Sequence, residues 1–192
     1  IGNYSSGKMG LAIAEELAGR GAEVVLVCGP VNLKTHHPAI RRVDVESAAQ
    51  MYEVTSREFA NSDVAVLSAA VADFTPKEKA DHKIKRGKDD LVLELLPTKD
   101  IAAELGKMKN ASQLLVGFAL ETNDEEVNAL SKMQRKNLDM IVLNSLNDKG
   151  AGFGVDTNKV TIMDKAGNRT VYELKTKLEV AKDIVDQIAS RL

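Results

Sequence analysis

Residues 2–10 read Gly-Asn-Tyr-Ser-Ser-Gly-Lys-Met-Gly, the G-x-x-x-x-G-K spacing of a phosphate loop. In a nucleoside-triphosphatase the next residue carries a hydroxyl that ligates Mg²⁺, and the thioether of Met9 cannot do this. The chemistry left is more general. Ser5, Ser6 and the backbone N–H groups opening a helix face the positive end of its dipole, where a phosphate or carboxylate can bind. The competing reading is local: Ser6 caps the helix and Gly10 permits close packing. Tyr4 and Lys8 have Tyr-x-x-x-Lys spacing, but in a short-chain reductase that pair belongs well downstream on a helix.

A second candidate is Ser68-Ala69-Ala70-Val71-Ala72-Asp73-Phe74, which follows an apolar run. Open α/β sheets bind ligands at the carboxyl ends of their strands. The small alanines admit a flat ring or a ribose, and Asp73 could accept from ribose hydroxyls or hold Mg²⁺ through water. As a loop aspartate it could equally cap a turn. The third candidate is basic: Lys77, Lys79, Lys83, Lys85, Arg86 and Lys88 fall within twelve residues. Such a run is ordinarily a solvated face, but opposite a phosphate site it could clamp a polyphosphate. Lys132 and Lys136 have the spacing of one helix face and could reach the same anion. His36, His37 and His82 lack metal-ligand spacing, and no C-x-x-C or H-E-x-x-H occurs, so a zinc site is rejected. Cys28 lies in an apolar run and reads as a core residue.

These residues need a scaffold, and the hydrophobic pattern supplies one. Residues 23–28, 63–68, 114–119 and 140–143 are short, nearly continuous apolar runs of the kind found in strands buried on both faces of a parallel sheet. Between them, Met9/Ile13/Leu17, Ala48/Tyr52/Thr55/Phe59 and Ile101/Leu105/Met108 recur at helical spacing. Thr122 with Glu125, and Thr176 with Glu179, have capping-box spacing before two further helices. This alternation indicates an α/β fold with a doubly wound, mostly parallel, Rossmann-like sheet flanked by helices. A glycine-rich turn normally follows a buried strand, so a first strand is expected upstream of Ile1, missing from this numbering. Two β extensions interrupt the alternation. One spans residues 75–98, with a strand over Asp90–Leu96; the other, residues 159–174, reads as a hairpin turning at Ala166-Gly167-Asn168. One domain over residues 1–192 is the simplest organisation.

Composition narrows the partners. The 192 residues carry 26 basic and 28 acidic side chains, no Trp and 4% aromatics, which argues against a nucleic-acid surface. No apolar run approaches the roughly 20 residues of a membrane-spanning helix. A single cysteine is consistent with a reducing, cytoplasmic setting.

Taken together, Ile1–Gly10, Ala69–Phe74, Lys83-Ile84-Lys85-Arg86, Val116–Thr122 and Lys136-Asn137-Leu138-Asp139 resemble, in order and spacing, the phosphopantothenoylcysteine synthetase family. This is the C-terminal synthetase part of the bacterial DNA/pantothenate metabolism flavoproteins. In many bacteria it is fused behind a flavin-dependent decarboxylase. The resemblance implies a ligase of coenzyme A biosynthesis. The 4'-phosphopantothenate carboxylate attacks the α-phosphate of CTP, and the amine of L-cysteine then displaces CMP from the acyl-cytidylate. It implies a nucleotide set of Ser6, Gly7, Ser68, Ala69, Ala70, Asp73, Lys83, Lys99, Asp100, Ile101, Ala102, Phe118, Lys132 and Lys136. Asp73 would lie near the ribose, Phe118 would line the cytidine pocket, and Lys83 would neutralise the departing pyrophosphate. Asn3 would handle the acyl-cytidylate, with Ala69 bordering both ligands. Where the family commonly has Asn-Pro-Asp, this chain has Thr98-Lys99-Asp100. Mg²⁺ is implied as the metal of the nucleotide complex, and a homodimer as the assembly. The competing readings are an NAD(P)-dependent short-chain reductase, which would bind NAD(P)H, and a non-catalytic nucleotide-binding module, which would bind nucleotide without releasing pyrophosphate.

Overall fold

The computed structural model describes residues 5–78, 80, 82, 84–85, 90–121, 123–145 and 155–192. The chain runs α1 (Lys8–Gly19), β1 (Val24–Cys28), β2 (Ile40–Asp44), α2 (Ala48–Phe59), β3 (Val64–Leu67), β4 (Phe74–Pro76), β5 (Leu95–Pro97) and α3 (Ile101–Met108). It continues with β6 (Leu114–Glu121), α4 (Glu125–Arg135), β7 (Met140–Ser145), β8 (Thr157–Asn158), β9 (Val160–Asp164), β10 (Arg169–Val171), β11 (Lys175–Thr176) and α5 (Lys177–Ala189). The principal sheet has the order β10-β9-β7-β6-β3. Its strands β3, β6 and β7 run parallel, whereas β9 and β10 add an antiparallel edge. This is the expected mixed α/β architecture with a mostly parallel sheet between helices.

Two cores flank the sheet, and strand alternation decides which residues enter each. Leu114, Val116, Met140 and Val142 face α1 and α5, where Ile13, Val180, Ile184 and Ile188 cover them. Leu115, Ala119, Ile141 and Leu143 face the other way, against Leu105 of α3 and Met133 of α4. Each such side chain taken fully out of water contributes about 1.5–3 kcal/mol.

The apolar runs at β6 and β7 are buried as expected, but β1 and β3 are only half-buried. The pairing explains this. β1 bonds only to β2 and β3 only to β6, so each has an edge with no strand bonded to it among the described residues. Helix α1 touches β1 and β2 and shares a core with Val64 and Val66 of β3, while α2 touches β1 and packs over Ala65 and Leu67. The helices therefore cover both parts where hydrogen bonds do not join them.

Several elements differ from the sequence expectation. β2 was not anticipated, because Arg41, Arg42 and Asp44 break its apolar pattern. The expected strand over Asp90–Leu96 contracts to β5, which pairs antiparallel with β4 and leaves Leu91, Val92 and Leu93 exposed, Val92 at 87%. The capping box at Thr176 and Glu179 forms with both of its bonds, and an unanticipated one forms at Ser47 and Gln50. The box expected at Thr122 and Glu125 involves Thr122, which lies outside the described residues; the N-cap of α4 is Asp124, left-handed at φ 45°. Thr176→Ala removes an acceptor for the first turn of α5, so a loss of about 1 kcal/mol is expected in denaturant unfolding.

Candidate functional site

Several of the residues singled out in the sequence are joined through the α1 turn, the loop that follows β3 and the start of α3. The α1 turn comes first. Its N-cap is Gly7 at φ 76°, a conformation glycine adopts freely. Ser6 lies one residue before the N-cap, and among the described residues no side chain accepts from the first backbone N–H groups of α1. A side chain on Gly7 would also press on Val31, which follows β1 at 3.2 Å. Arg42 of β2 fixes that loop by donating to the carbonyls of Leu33 and Val31 while pairing with Asp44.

Close packing at Gly10 joins this turn to the second candidate segment. A β-carbon on Gly10 would come within 2.8 Å of Ser68 Oγ, just past β3. Gly10→Ala should leave unfolding little changed, since alanine favours the helix by up to about 1 kcal/mol and a hydroxyl can rotate away. It should nevertheless weaken nucleotide binding by displacing Ser68, which a titration with nucleotide would read out.

The loop after Ser68 is held by Thr98, just before α3. Thr98 N–H donates to Asp73 O at 2.9 Å and Thr98 Oγ donates to Ala72 O at 2.7 Å. These bonds tie Ala69, Ala70 and Asp73 to the start of α3, leaving the side chains of Ala69 and Asp73 exposed. Asp100 caps α3 by accepting from Ala103 N–H at 3.1 Å and pairs with Lys136 Nζ at 2.8 Å. Burial works against the charged form of Asp100, but Lys136 and the Ala103 N–H outweigh it and hold its carboxyl below the usual range. Ile101 is buried in the core beneath α3 and Ala102 packs against it, so both position the helix rather than present polar groups. Lys99 sits over the Tyr52 ring of α2, 4.3 Å from its centre, so its charge is engaged there.

Lys132 and Lys136 remain neighbours at the end of α4, where the Lys136 N–H donates to Lys132 O at 3.0 Å and both side chains bring positive charge to Asp100. α4 ends at Arg135, so Lys136 is its C-cap and reaches across to Asp100. Lys132 Nζ donates to Phe118 O at 2.8 Å, and burial, followed by nearby Lys136, lowers its pKa. The Phe118 ring points to the opposite side, against the core beneath α1 and α5. Phe118 thus links the two faces of the sheet, with its carbonyl on Lys132 and its ring on the α1 side. Asn3 and Lys83 lie outside the described residues. Sequence spacing gave no sign of Thr98 as the anchor of the Asp73 loop, although it directly precedes Lys99 and Asp100.

Among the described residues no three or more His, Cys, Asp or Glu side chains gather to hold a metal. The exposed Asp73 carboxylate could meet a metal already carried by nucleotide phosphates, the usual arrangement for Mg²⁺. No helix among them is long and apolar enough to cross a membrane.

Comparison with known proteins places this arrangement. The whole chain, residues 1–192, matches the family described as the DNA/pantothenate metabolism flavoprotein C-terminal domain. It is 60% identical over 188 residues to a protein from an unknown prokaryotic organism named cysteine/cysteine sulfinic acid decarboxylase, covering 98% of this chain and 52% of that protein. It is 46% identical over 188 residues to the coenzyme A biosynthesis bifunctional protein CoaBC of Bacillus subtilis, covering 98% of this chain and 46% of that protein. The chain thus spans about half the length of these relatives. A crystal structure of the C-terminal domain of a CoaBC protein superposes with a TM-score of 0.81 at 42% identity, covering 96% of this chain and 82% of that one. With the match running end to end and the fold shared, the chain belongs to the DNA/pantothenate metabolism flavoprotein C-terminal domain family.

Proposed function

We propose that this chain is the phosphopantothenoylcysteine synthetase part of its protein, joining 4'-phosphopantothenate to L-cysteine at the expense of CTP. The observation that carries this reading is that, in a chain of this family, the α1 turn meets Ser68 through Gly10 while Thr98 ties the Ala72–Asp73 end of the same loop to the start of α3. A carboxylate is a poor acyl donor until its oxygen belongs to a good leaving group. Attack of that oxygen on the α-phosphorus of CTP breaks the bond to the β-phosphate and releases pyrophosphate. The cysteine amine then attacks the acyl carbon of the resulting cytidylate, loses a proton, and expels CMP.

In this scheme the α1 N-terminus with Ser6 and Gly7 faces phosphoryl oxygens, and Asp73 accepts from ribose hydroxyls. Lys132 and Lys136 bring positive charge to the nucleotide side, and Ser68, Ala69 and Ala70 leave room for the ligand. Lys83 neutralises charge on the departing pyrophosphate, and Asn3 donates to the acyl-cytidylate without competing as a nucleophile. Mg²⁺ would neutralise nucleotide phosphate charge. The exposed apolar residues Phe74, Leu91, Val92, Leu93 and Leu96 support a homodimer formed through the β4–β5 extension. The longer relatives, one named a decarboxylase and one a bifunctional protein, support fusion to a decarboxylase part, and we place the protein in the cytoplasm.

The test is pyrophosphate release by the full-length protein from Mg·CTP with 4'-phosphopantothenate, with and without cysteine, and with ATP in parallel. CTP-selective release, with CMP and the amide appearing once cysteine is added, is expected. Nucleotide binding without release would reduce the chain to a binding module.

A further inference from the structure

Asn158 occupies β8 with only 2% of its surface exposed, and its Nδ2 donates to Asn144 Oδ1 at 3.0 Å. Its own Oδ1 is shut off from solvent and meets no donor among the described residues. A buried oxygen without a donor is unfavourable, so an apolar side chain of the same shape would serve packing better. The amide has its use in what it does to Asn144.

Asn144 stands near the carboxyl end of β7, opposite Leu120 of β6 and Val160 of β9, and is half-buried. Strand alternation puts it on the same face as Met140 and Val142, beneath α1 and α5. Because Asn158 holds Asn144 Oδ1 from the buried side, the Asn144 Nδ2 on the other branch of the amide turns away from that side. Asn144 therefore presents donors rather than an acceptor. The surroundings suit such donors. Two residues before Asn158, Asp156 pairs with Lys8 in the first turn of α1 at 2.5 Å. The N–H of Lys177 donates to Asp156 O at 2.9 Å, and Lys177 Nζ donates to Val155 O. β8 is thereby fastened to the N-termini of both α1 and α5. Asn144 is thus tied through Asn158 to the segment that holds Lys8 at the start of α1 and Lys177 at the start of α5.

We propose that Asn158 is a positioning residue of the ligase. It locks the Asn144 amide so that Nδ2 donates to an anionic oxygen, carboxylate or phosphoryl, of the acyl substrate. This inference rests on the synthetase reading above. Asn158→Leu keeps the shape, removes the donorless oxygen and frees the Asn144 amide to turn. Asn158→Asp can only accept, so it would draw Asn144 Nδ2 inward and present the wrong atom.

The experiment uses the full-length protein. Thermal unfolding is measured alongside kcat and KM for 4'-phosphopantothenate and for CTP. The Leu variant is expected to unfold at the same temperature or higher. Its kcat/KM for 4'-phosphopantothenate should fall about tenfold, the size of one lost hydrogen bond to a charged group, with KM for CTP unchanged. The Asp variant should lose at least as much. An Asn158→Leu protein with full kcat/KM would overturn the inference while leaving the synthetase reading intact, as would a loss confined to thermal stability. Equal losses for both substrates would overturn the assignment to the acyl substrate. A wild-type protein that releases no pyrophosphate would remove the synthetase reading and this inference with it.

Discussion

Gly106→Ala is expected to destabilise the protein by about 1–3 kcal/mol, the range for overpacking a tight contact, although the same change in an ordinary helix would stabilise it. The reason lies in how α3 meets the end of α4. A β-carbon on Gly106 would come within 2.0 Å of Lys136 O and 2.9 Å of its carbonyl carbon, and backbone atoms cannot rotate out of the way. Gly106 O also accepts from Asn137 Nδ2 at 2.7 Å, and Asn137 is itself left-handed at φ 51°. Forcing the helices apart moves Asp100 relative to Lys136, so the surviving folded protein should bind nucleotide more weakly. Denaturant unfolding paired with nucleotide titration checks both effects. A variant that gains stability, as helix propensity alone would dictate, would show that α3 does not pack this way.

Asp139→Asn is expected to cost about 1.5–3 kcal/mol, the range for hydrogen bonds to a charged group, because it weakens three such bonds in a largely shielded cluster. Asp139 accepts from Lys109 Nζ at 2.5 Å, from Lys165 Nζ at 2.8 Å and from Leu115 N–H at 2.7 Å. The side chains of Lys109 and Asp139 are only 8% and 19% exposed. Burial alone would raise the Asp139 carboxyl, but these three donors outweigh it and hold its pKa below the usual value. A carboxyl lowered in the folded state contributes stability that is fully present above its unfolded pKa. That contribution is lost as pH falls through the folded value. Unfolding free energy should therefore decline on acidification, and Asp139→Asn should flatten part of that decline. Asp164 remains in the variant as a second such group. Its burial is outweighed by hydrogen bonds from Asn168 and Arg191, so some acid sensitivity should persist. An unchanged acid slope in Asp139→Asn would contradict the role given to this cluster.

Asp139 also illustrates what spacing could reveal. The Lys136-Asn137-Leu138-Asp139 segment was legible as part of a family pattern, but its members divide their work. Lys136 meets Asp100, Asn137 turns the chain, Leu138 fills the core and Asp139 anchors Lys109. The buried strands β6 and β7 were legible because both faces are apolar, α1, α2 and α3 from their periodicity, and α5 from the capping box at Thr176 and Glu179. β2 was hidden because its arginines act outside the core: Arg42 holds the loop against Gly7, and Arg41 pairs with Glu58. The start of α4 was misplaced because Asp124 enters the left-handed region, which residue type alone does not fix. The Asn144–Asn158 contact was not legible, since it joins positions fourteen residues apart through folding. The Ser68–Asp73 loop and the α1 turn were each visible, but their contact at Gly10 depends on how α1 crosses the end of β3.

The most direct measurement follows the oxygen. The full-length protein is supplied with CTP, cysteine and 4'-phosphopantothenate carrying a heavy-oxygen label in its carboxylate, and the released CMP is weighed by mass spectrometry. If the carboxylate attacks the α-phosphate, one labelled oxygen must pass into CMP. Label found in inorganic phosphate, or CMP that forms without label, would contradict the acyl-cytidylate route.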